Sequence, residues 1–244
     1  MSTLVFENKK VLVTGASRGL GLGFVKALAQ RGVQTIYAGC RTQEGIEEIK
    51  ALGLESVTPL LLDVTNSAHI ENLKADIQEL DVLINNAGIA SACGFTSEEV
   101  LETARAEMEV HYFGSLALTK AFLPLIQASG NGGIINISSI AALSNFKAMG
   151  TYSASKAALH FMTQGLRAEL QESNVFVQGV YPGPFDTRLA AGFDGPKKSP
   201  ETIANIVLDS CADGITEVYP DDFSQGMYQT FIESPQKLAE VFSQ

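Results

Sequence analysis

Short apolar runs alternate with helix-like patterns along almost the whole of this 244-residue chain. Strands that are buried on both faces of a parallel sheet are nearly continuous apolar runs, and a helix normally connects each strand to the next. The apolar runs predict six strands, at residues 10–14, 35–38, 60–62, 82–84, 134–137 and 175–180. The alternation therefore predicts an α/β fold built as a doubly wound parallel sheet.

Helical patterns fill the intervals between the predicted strands. They predict helices over residues 24–31, 44–52, 67–78, 101–126 and 152–170, and two more that begin after Ser199 and Ser234. Each of these serines is followed by proline, a common pair at the N-cap and the first helical position. Thr96 and Glu99 have the spacing of a capping box before the long helix. Because no repeat, low-complexity segment or linker interrupts the pattern, residues 1–244 are interpreted as one domain.

The charge and the cysteine content argue against several classes of function. The formal net charge is −10 and no basic run is present, which argues against nucleic-acid binding. No apolar run approaches ~18 residues, so no membrane span is expected. Cys40, Cys93 and Cys211 are too few and too widely spaced for a disulfide framework or a zinc site, and no metal site is predicted. We expect a soluble protein of a reducing, cytoplasmic compartment.

Three glycines lie between the first predicted strand and the helix that follows it. Gly15, Gly19 and Gly21 allow a tight turn and bring backbone N–H groups close to a ligand, at a helix N-terminus that favours anions. Their spacing differs from the Gly-x-Gly-x-x-Gly of the commonest dinucleotide fingerprint. Their position directly after an N-terminal strand predicts a phosphate-binding turn. The other residues of this predicted turn are Ser17, Arg18 and Leu20.

The end of the second predicted strand bears on which dinucleotide is bound. An acidic residue at this point binds the ribose 2′-hydroxyl of NAD, whereas an arginine suits the 2′-phosphate of NADP. Here Arg41 follows the strand, no acid is present, and Arg18 lies in the glycine turn. The two cations favour NADP(H) over NAD(H); the alternative is that both only face solvent. Asp63 closes the third strand and residues 85–88 close the fourth, at the sheet edge where ligands bind.

Tyr152 and Lys156 are one helical turn apart and project from the same face of a predicted helix. A free tyrosine has a pKa near 10, and a nearby positive charge lowers it. Lowering this pKa by ~3 units requires about 4 kcal/mol, which is more than one lysine is expected to supply, so a second cation would help. The pair predicts a general acid–base tyrosine. The alternative is an ordinary pair on an exposed helix face.

Four motifs occur in this sequence in a fixed order, and their combination is a specific signal. They are the glycine turn, Asn85-Asn86-Ala87-Gly88 after the fourth strand, Ser138-Ser139 after the fifth, and Tyr152 four residues before Lys156. In this combination the chain resembles the short-chain dehydrogenase/reductase family, from Lys10 to about Thr187. The resemblance implies a Rossmann-type doubly wound parallel sheet of about seven strands with helices on both faces. It also implies a nicotinamide cofactor and hydride transfer between that cofactor and a carbonyl or alcohol.

The resemblance assigns a role to each matching position. Tyr152 matches the catalytic acid/base, Lys156 the residue that lowers its pKa and holds the nicotinamide ribose, and Ser139 the donor to the substrate oxygen. The oxidised nicotinamide would be the second cation, and Ser138 is interpreted as structural. Asp63 matches the residue beside the adenine. The remaining cofactor-binding positions that it implies are Asn85, Ala87, Gly88, Pro182, Gly183 and Thr187, the last three in the loop that meets the nicotinamide carboxamide.

One position departs from the family pattern. An asparagine usually lies in the long helix before the fifth strand and supports a water chain from the lysine, but here His111 takes that place. A histidine near the catalytic lysine can relay protons, because its pKa lies near neutrality. Alternatively, it only packs and forms hydrogen bonds locally. His111 is therefore included among the candidate catalytic residues, with both interpretations open.

The substrate side is the least informative part of the sequence. The resemblance implies that residues 186–200 form a substrate loop over the site, and their glycines suit a mobile lid. Aromatic and apolar residues on segments expected to border the pocket favour a largely apolar carbonyl substrate, although each also suits core packing: Phe95, Phe146, Met149, Tyr181, Phe185 and Phe193. The tail lacks the Gly-Gly-containing last strand typical of family members that reduce acyl-carrier-protein-bound ketoacids.

Three functional hypotheses follow from these patterns. The leading one is an NADPH-dependent carbonyl reductase that is reversible as an alcohol dehydrogenase. A second is a non-catalytic NADP(H)-binding sensor or scaffold of the same fold, and a third is an isomerase or dehydratase that uses the cofactor transiently. The apolar faces of helices 101–126 and 152–170 predict a homodimer or homotetramer, since family members often pair these helices across two-fold axes.

Overall fold

A seven-stranded sheet is the centre of the molecule. The computed structural model describes residues 3–184 and 197–244, and within them the strand order is 3-2-1-4-5-6-7, with every pair of neighbours parallel. The predicted Rossmann-type, doubly wound α/β sheet is confirmed. The strands are β1 (Lys10–Thr14), β2 (Thr35–Cys40), β3 (Val57–Leu61), β4 (Val82–Asn85), β5 (Gly133–Ile137), β6 (Phe176–Val180) and β7 (Glu217–Val218).

Helices connect the strands and cover both faces of the sheet. They are α1 (Gly19–Ala29), α2 (Gln43–Lys50), α3 (Ser67–Asp76), α4 (Val100–Met108), α5 (Ser115–Ala128), α6 (Gly150–Glu169), α7 (Pro200–Ala212), α8 (Asp222–Glu233) and α9 (Pro235–Phe242). A π-helical turn (Glu109–Gly114) separates α4 from α5, and two 3₁₀ turns (Ile140–Ala142 and Lys147–Met149) lie between β5 and α6. No helix in the described residues is long and apolar enough to cross a membrane.

The chain order of the strands determines where a ligand can bind. β1 lies between β2 and β4, so the chain winds outward in one direction from β1 to β3 and in the other from β4 to β7. The crossovers on the two sides diverge at this switch point, which leaves a crevice beyond the carboxyl ends of β1 and β4. The glycine turn follows β1 and residues 86–88 follow β4, while Ser138-Ser139 follows the neighbouring strand β5 and Tyr152 lies on α6.

Two apolar layers hold the helices to the sheet. On one face, α1, α2 and α7 bury residues such as Phe24, Ile49 and Val207. On the other face, α3 and α5 bury residues such as Leu73 and Phe122. Burying one such large apolar side chain contributes about 1.5–3 kcal/mol. These layers fix the strand ends, and therefore the loops that form the site.

Most predicted boundaries lie within two residues of those in the structure, but the first helix and the third strand begin three or more residues earlier than predicted. Helix α1 begins at Gly19, five residues before the predicted start, because the last glycines of the turn already have helical hydrogen bonding. Strand β3 covers Val57–Leu61 rather than residues 60–62. It is an edge strand that contains Pro59 and is only partly buried, so its apolar run is a poor marker of its ends.

The helix predicted over residues 101–126 is interrupted. Its first part, α4, has Glu99 as its N-cap residue with no side-chain cap, so the capping box predicted for Thr96 and Glu99 is wrong. The π-helical turn then widens the helix around His111 before α5 continues. A π turn lets one extra residue into the helix, and such turns often mark functional sites.

The two serine–proline helix starts are confirmed. Ser199 caps α7 by accepting a hydrogen bond from the Thr202 N–H, and Ser234 caps α9 by accepting one from the Lys237 N–H. Asp221 and Ser224 form a full capping box at the start of α8, which was not predicted from the sequence. Each cap satisfies a backbone donor that the first helical turn leaves without a partner.

Candidate active site

The hydroxyl of Thr14 connects the glycine turn to the end of β4. It accepts hydrogen bonds from the backbone N–H groups of Asn86 (2.9 Å) and Ala87 (2.8 Å), and it donates one to the carbonyl oxygen of Ile84 (3.3 Å). The side-chain amide of Asn86 donates to the Thr14 carbonyl oxygen at 2.8 Å. Two of the predicted motifs therefore form one rigid edge of the crevice.

Glycine is required in the turn for two separate physical reasons. Gly15 and Gly19 have φ angles of +62° and +54°, in the left-handed region that side chains disfavour. Gly21 is required by close contact, because a Cβ at this position would lie 2.1 Å from the carbonyl oxygen of Gly15. Arg18, the N-cap residue of α1, provides no side-chain cap to the first turn. The first N–H groups of α1 thus suit an anion such as a pyrophosphate.

Arg41 and Asp63 lie close together at the carboxyl ends of β2 and β3. Burial alone would raise the pKa of Asp63, but hydrogen bonds from Thr65 and the charge of Arg41 lower it below its usual value. Arg18 and Arg41 are both exposed. Two cations and an ionised carboxylate therefore line the outer part of the crevice, where the sequence predicts the adenosine end of the cofactor.

Asn85 contributes to the sheet rather than to the crevice surface. Its side-chain amide donates to Asn136 Oδ1 (2.8 Å) and to the Thr119 hydroxyl (3.3 Å), and the residue is 3% exposed. Asn136 in turn donates to the Thr163 hydroxyl at 2.9 Å. This buried network connects β4, β5, α5 and α6 below the site. Ala87 and Gly88 extend beyond the strand end.

Ser139, Tyr152 and Lys156 are brought together from β5 and α6. The Ser139 hydroxyl lies close enough to the Tyr152 phenol to lower its pKa. The Lys156 ammonium donates to the Ile137 carbonyl oxygen at 2.8 Å and lies 5.7 Å from the centre of the Tyr152 ring. Ser138 donates its hydroxyl hydrogen to the backbone carbonyl of Lys156 at 3.1 Å, a structural contact.

Burial dominates the electrostatics of this group. It raises the pKa of Tyr152 to about 12, although the nearby Ser139 hydroxyl acts in the opposite direction. It also lowers the pKa of Lys156 to about 7. The net shift of the Tyr152 pKa is therefore upward, opposite to the effect expected of Lys156, because removing the phenolate from water disfavours its charge. As arranged, Tyr152 is a proton donor.

Glu107 is a buried acid in this region that was not among the predicted site residues. It is 0% exposed; one carboxylate oxygen accepts from the Ser91 N–H at 3.0 Å, and the other has no hydrogen-bond partner in the described residues. Its charge raises the pKa of both Tyr152 and Lys156. The available signal was its place four residues before His111, on the same helix face, but a glutamate in a helical pattern is normally exposed.

His111 forms hydrogen bonds through both ring nitrogens. Nε2 accepts from the Ile89 N–H at 3.1 Å, so this nitrogen carries no hydrogen. Nδ1 therefore carries the hydrogen and donates to the Ser155 hydroxyl at 2.8 Å, and Ser155 donates to the Tyr152 carbonyl oxygen at 2.7 Å. Burial, together with the charge of Lys156, holds the pKa of His111 well below its usual range. This arrangement favours local packing over proton relay.

The loop after β6 is bonded to residues 138–142, which follow β5 and are called the serine turn below. The Pro182 carbonyl accepts from the Ile140 N–H at 3.1 Å, and the Gly183 N–H donates to Asp221 Oδ2 at 2.8 Å. Thr187, predicted to meet the nicotinamide, lies outside the described residues, as do Phe185, Phe193 and most of the predicted substrate loop.

The remaining predicted pocket residues differ in exposure. Phe95 is 59% exposed and packs against Gly150, Phe146 is 39% exposed, and Met149 is partly buried. Tyr181 is fully buried and donates to or accepts from His160 Nδ1 at 2.7 Å, so it does not line the pocket. It directly follows β6, and its ring stacks on that of Tyr219, with the ring centres 5.2 Å apart.

Comparisons with known proteins agree with the motifs. A family model described as short chain dehydrogenase matches residues 9–197. A protein of Staphylococcus aureus strain USA300, described as an uncharacterized oxidoreductase, is 34% identical over 212 residues, which is 84% of this chain and 91% of that protein.

Solved structures share the fold over nearly the full length. A short chain dehydrogenase from Burkholderia cenocepacia J2315, solved in complex with NADP, is 36% identical with a TM-score of 0.91 and covers 99% of this chain and 100% of its own. A short chain dehydrogenase/reductase from Burkholderia phymatum, solved in complex with NAD, is 19% identical with a TM-score of 0.82 and covers 96% of each chain. At that identity, the second comparison supports the fold alone.

Proposed function

The chain belongs to the short-chain dehydrogenase family of oxidoreductases, and from this premise we propose that it is an NADP(H)-dependent carbonyl reductase, reversible as an alcohol dehydrogenase. One observation carries the proposal: the hydroxyls of Ser139 and Tyr152 lie close together beside a buried lysine at the carboxyl edge of the sheet. A scaffold that only binds a nucleotide does not need such an acid–base group.

The chemistry of each residue follows from its contacts. The nicotinamide cofactor supplies the hydride when it is bound. In reduction, the hydroxyls of Ser139 and Tyr152 donate hydrogen bonds to the carbonyl oxygen and stabilise the charge that develops on it. Tyr152 then transfers its proton to that oxygen, and its pKa of about 12 keeps it protonated until the alkoxide forms. Lys156 stabilises the phenolate that remains.

The proposed cofactor site uses the whole crevice edge. Arg18 and Arg41 are placed to bind a 2′-phosphate, and Asp63 lies where the adenine is expected. Lys156 and Tyr152 would contact the nicotinamide ribose. The remaining proposed cofactor contacts, in chain order, are Gly15, Ser17, Gly19, Leu20, Gly21, Ala87, Gly88, Pro182, Gly183 and Thr187. Asn85, also predicted from the sequence, would support them from within the sheet.

The preference for NADP(H) has two supports. The first is the pair of exposed arginines, with no acid at the end of β2. The second is the NADP in the Burkholderia cenocepacia structure, the more similar of the two compared. Titration of the purified protein with NADPH and NADH, followed by nucleotide fluorescence, tests this preference. We expect a dissociation constant at least tenfold lower for NADPH; equal or tighter binding of NADH would contradict it.

The activity is tested with a substrate panel. Ketones, aldehydes and quinones with apolar substituents, chosen because Phe95, Phe146 and Met149 border the expected pocket, are incubated with NADPH, and the loss of its absorbance is followed. We expect turnover on at least one of them. NADPH binding without turnover on any panel member would favour the sensor or scaffold, and product formation without net NADPH loss would favour the isomerase or dehydratase.

The domain organisation is part of the same proposal. We propose that residues 1–244 belong to one nucleotide-binding domain; most of the predicted substrate loop, residues 186–200, lies outside the described residues. The cysteines in the described residues are free and buried, which suits a reducing, cytoplasmic compartment.

We also propose a homodimer or homotetramer. Leu101, Phe113 and Phe161 expose large apolar surfaces on α4, the π-helical turn and α6, with 66%, 48% and 69% of each residue exposed. Such surfaces are typical of association faces. Light scattering at micromolar concentration is expected to give a multiple of the 26.0 kDa chain mass; a single chain mass would contradict the proposal.

A further inference from the structure

Asp221 connects the C-terminal helices to the proposed nicotinamide loop. It is 4% exposed; Oδ2 accepts from the Gly183 N–H at 2.8 Å, and Oδ1 accepts from the Ser224 N–H at 2.8 Å. The approach requires glycine, because a Cβ on Gly183 would lie 2.7 Å from Asp221 Oδ1. One buried carboxylate thus caps α8 and holds the loop after β6. A charge-assisted hydrogen bond of this kind is roughly twice as strong as a neutral one.

Helix α9 contacts the other side of the site. Leu238 and Phe242 are 0% and 3% exposed and form an apolar cluster with Ile140, the residue after Ser139. The Phe242 ring also packs edge-to-face against Phe146, with the ring centres 5.5 Å apart. Phe146 leads into the 3₁₀ turn before α6, and its N–H donates to the Ser153 hydroxyl at 3.1 Å. The segment between Ser139 and Tyr152 therefore packs on the end of the chain.

The two contacted segments are also bonded to each other. The Ser138 N–H donates to the Val180 carbonyl at 2.8 Å, and the Ile140 N–H donates to the Pro182 carbonyl at 3.1 Å. The serine turn and the loop after β6 thus form a single surface. Two of the contacts that the C-terminal segment makes with this surface are those of Asp221, at the loop after β6, and of Phe242, at Ile140 and Phe146.

We propose that helices α8 and α9, attached through Asp221 and Phe242, form a C-terminal brace. This brace positions the loop after β6, at Pro182 and Gly183, and the serine turn for hydride transfer. The proposal rests on the proposed function. Neither residue touches the reacting atoms, so both are positioning residues. Asp221 acts through Gly183 on cofactor binding, and Phe242 acts through Ile140 and Phe146 on substrate binding.

The two attachment points predict that one variant changes the NADPH dissociation constant and the other the substrate KM. Loss of stability alone would not produce this difference. A destabilised protein loses active molecules, which lowers kcat and leaves the dissociation constant and the KM of the remaining molecules unchanged. Loss of positioning changes those constants instead. The test therefore measures the NADPH dissociation constant by fluorescence titration and the substrate KM for each variant.

The first variant is Asp221→Asn, which retains the side-chain shape but has a single acceptor oxygen for two backbone donors. We expect the NADPH dissociation constant to rise about tenfold, as loss of one buried hydrogen bond to a charged group implies, with the substrate KM within about twofold of the parent. The control is Asp213→Asn, which removes an exposed carboxylate at the end of α7. An unchanged NADPH dissociation constant in folded Asp221→Asn would overturn the proposal.

The second variant is Phe242→Ala, which removes the ring that supports Phe146. We expect the substrate KM to rise about five- to tenfold, with the NADPH dissociation constant within about twofold of the parent. Val241→Ala on the same helix is the control, because Val241 is 41% exposed. A uniform loss of kcat, with both constants unchanged, would mean that α9 only stabilises the fold and would overturn the proposal.

Two further measurements cover the remaining cases. If Asp221→Asn does not fold, Ser224→Ala keeps the carboxylate and removes a hydroxyl that contacts Asp221 Oδ2 (3.0 Å), the Asp221 carbonyl oxygen (2.9 Å) and the Asp221 N–H (3.3 Å). The dissociation constant is then expected to rise two- to threefold, or about 0.5 kcal/mol; no rise would count against the brace. If the parent binds no nicotinamide nucleotide, the proposed function fails. The brace is then judged by hydrogen exchange of residues 138–143, which Asp221→Asn should accelerate; unchanged exchange would overturn it.

Discussion

The crevice has a phosphate end and a catalytic end, and they are built from different parts of the chain. At the phosphate end, the ligand surface is backbone: Gly15 and Gly19 have positive φ angles, and Gly21 allows a contact that a side chain would prevent. At the proposed catalytic end, the surface consists of polar side chains: Tyr152 is partly buried, Lys156 is buried, and groups from distant parts of the sequence support both.

This difference predicts two kinds of response to mutation. Changes at the phosphate end should act through steric clash and should be nearly independent of pH, because no titrating group forms the turn itself. Changes at the catalytic end should act through proton affinities and should alter the pH profile. The four predictions below test that division, in order of decreasing effect.

Tyr152→Phe should have the largest effect. It removes the proton donor and leaves the ring in place, so we expect kcat to fall about a thousandfold, within the range typical of general acid catalysis. NADPH affinity should change little. Tyr112→Phe, which removes a hydroxyl from the π-helical turn, is the control and should retain parent activity. If Tyr152→Phe reduced substrates as fast as the parent, the assigned acid would be wrong.

Gly21→Ala should weaken the phosphate end at every pH. The added Cβ would lie 2.1 Å from the Gly15 carbonyl oxygen, and relieving such a clash costs about 1–3 kcal/mol. We expect up to a hundredfold weaker NADPH binding, equally at pH 6 and pH 8. Gly165→Ala is the matched control, because a Cβ there meets nothing within 4 Å and alanine favours the helix. Parent-like NADPH binding by Gly21→Ala would contradict the close-contact argument.

Glu107→Gln should move the pH profile of the catalytic end. The negative charge of Glu107 favours the protonated forms of both Tyr152 and Lys156 and so raises both pKa values. Glutamine retains an acceptor for the Ser91 N–H but removes the charge, so both pKa values should fall. The apparent pKa values of kcat/KM are therefore expected to move to lower pH by about 0.5–1 unit. An unchanged profile would mean that Glu107 has only a structural role.

His111→Asn should have the smallest effect. His111 is neutral, and both of its nitrogens form local hydrogen bonds, which an amide can also form because it has an acceptor and a donor. We expect kcat to remain within about threefold of the parent and the pH profile to be unchanged. Collapse of turnover with the fold intact would show that His111 has a dedicated role.

The same division explains which features could be predicted from the sequence. The order of the elements could be predicted, because central strands such as β1 are continuous apolar runs with glycine turns after them. The edge strand β3 could not be located as well, because half-exposed residues and Pro59 disrupt its run. The break in the long helix at the π-helical turn also leaves no periodic signal.

The catalytic motif was visible in the sequence, but the residues that support it were not. Tyr152 and Lys156 are four residues apart, so one turn of a helix brings them to the same face. Glu107 and Asp221, by contrast, are acidic residues whose burial depends on contacts between distant segments. The direction of the Tyr152 pKa shift could not be predicted from the sequence either, because it depends on burial rather than on the charge of one neighbour.

The central claim is direct hydride transfer from the nicotinamide to a carbonyl carbon held by Ser139 and Tyr152. It is tested most directly with NADPH that carries deuterium at C4 of the nicotinamide, in both stereoisomers, and a ketone that the enzyme reduces. We predict that with one of the two stereoisomers the product alcohol carries one deuterium on its carbinol carbon. A product without deuterium from either stereoisomer would contradict the account.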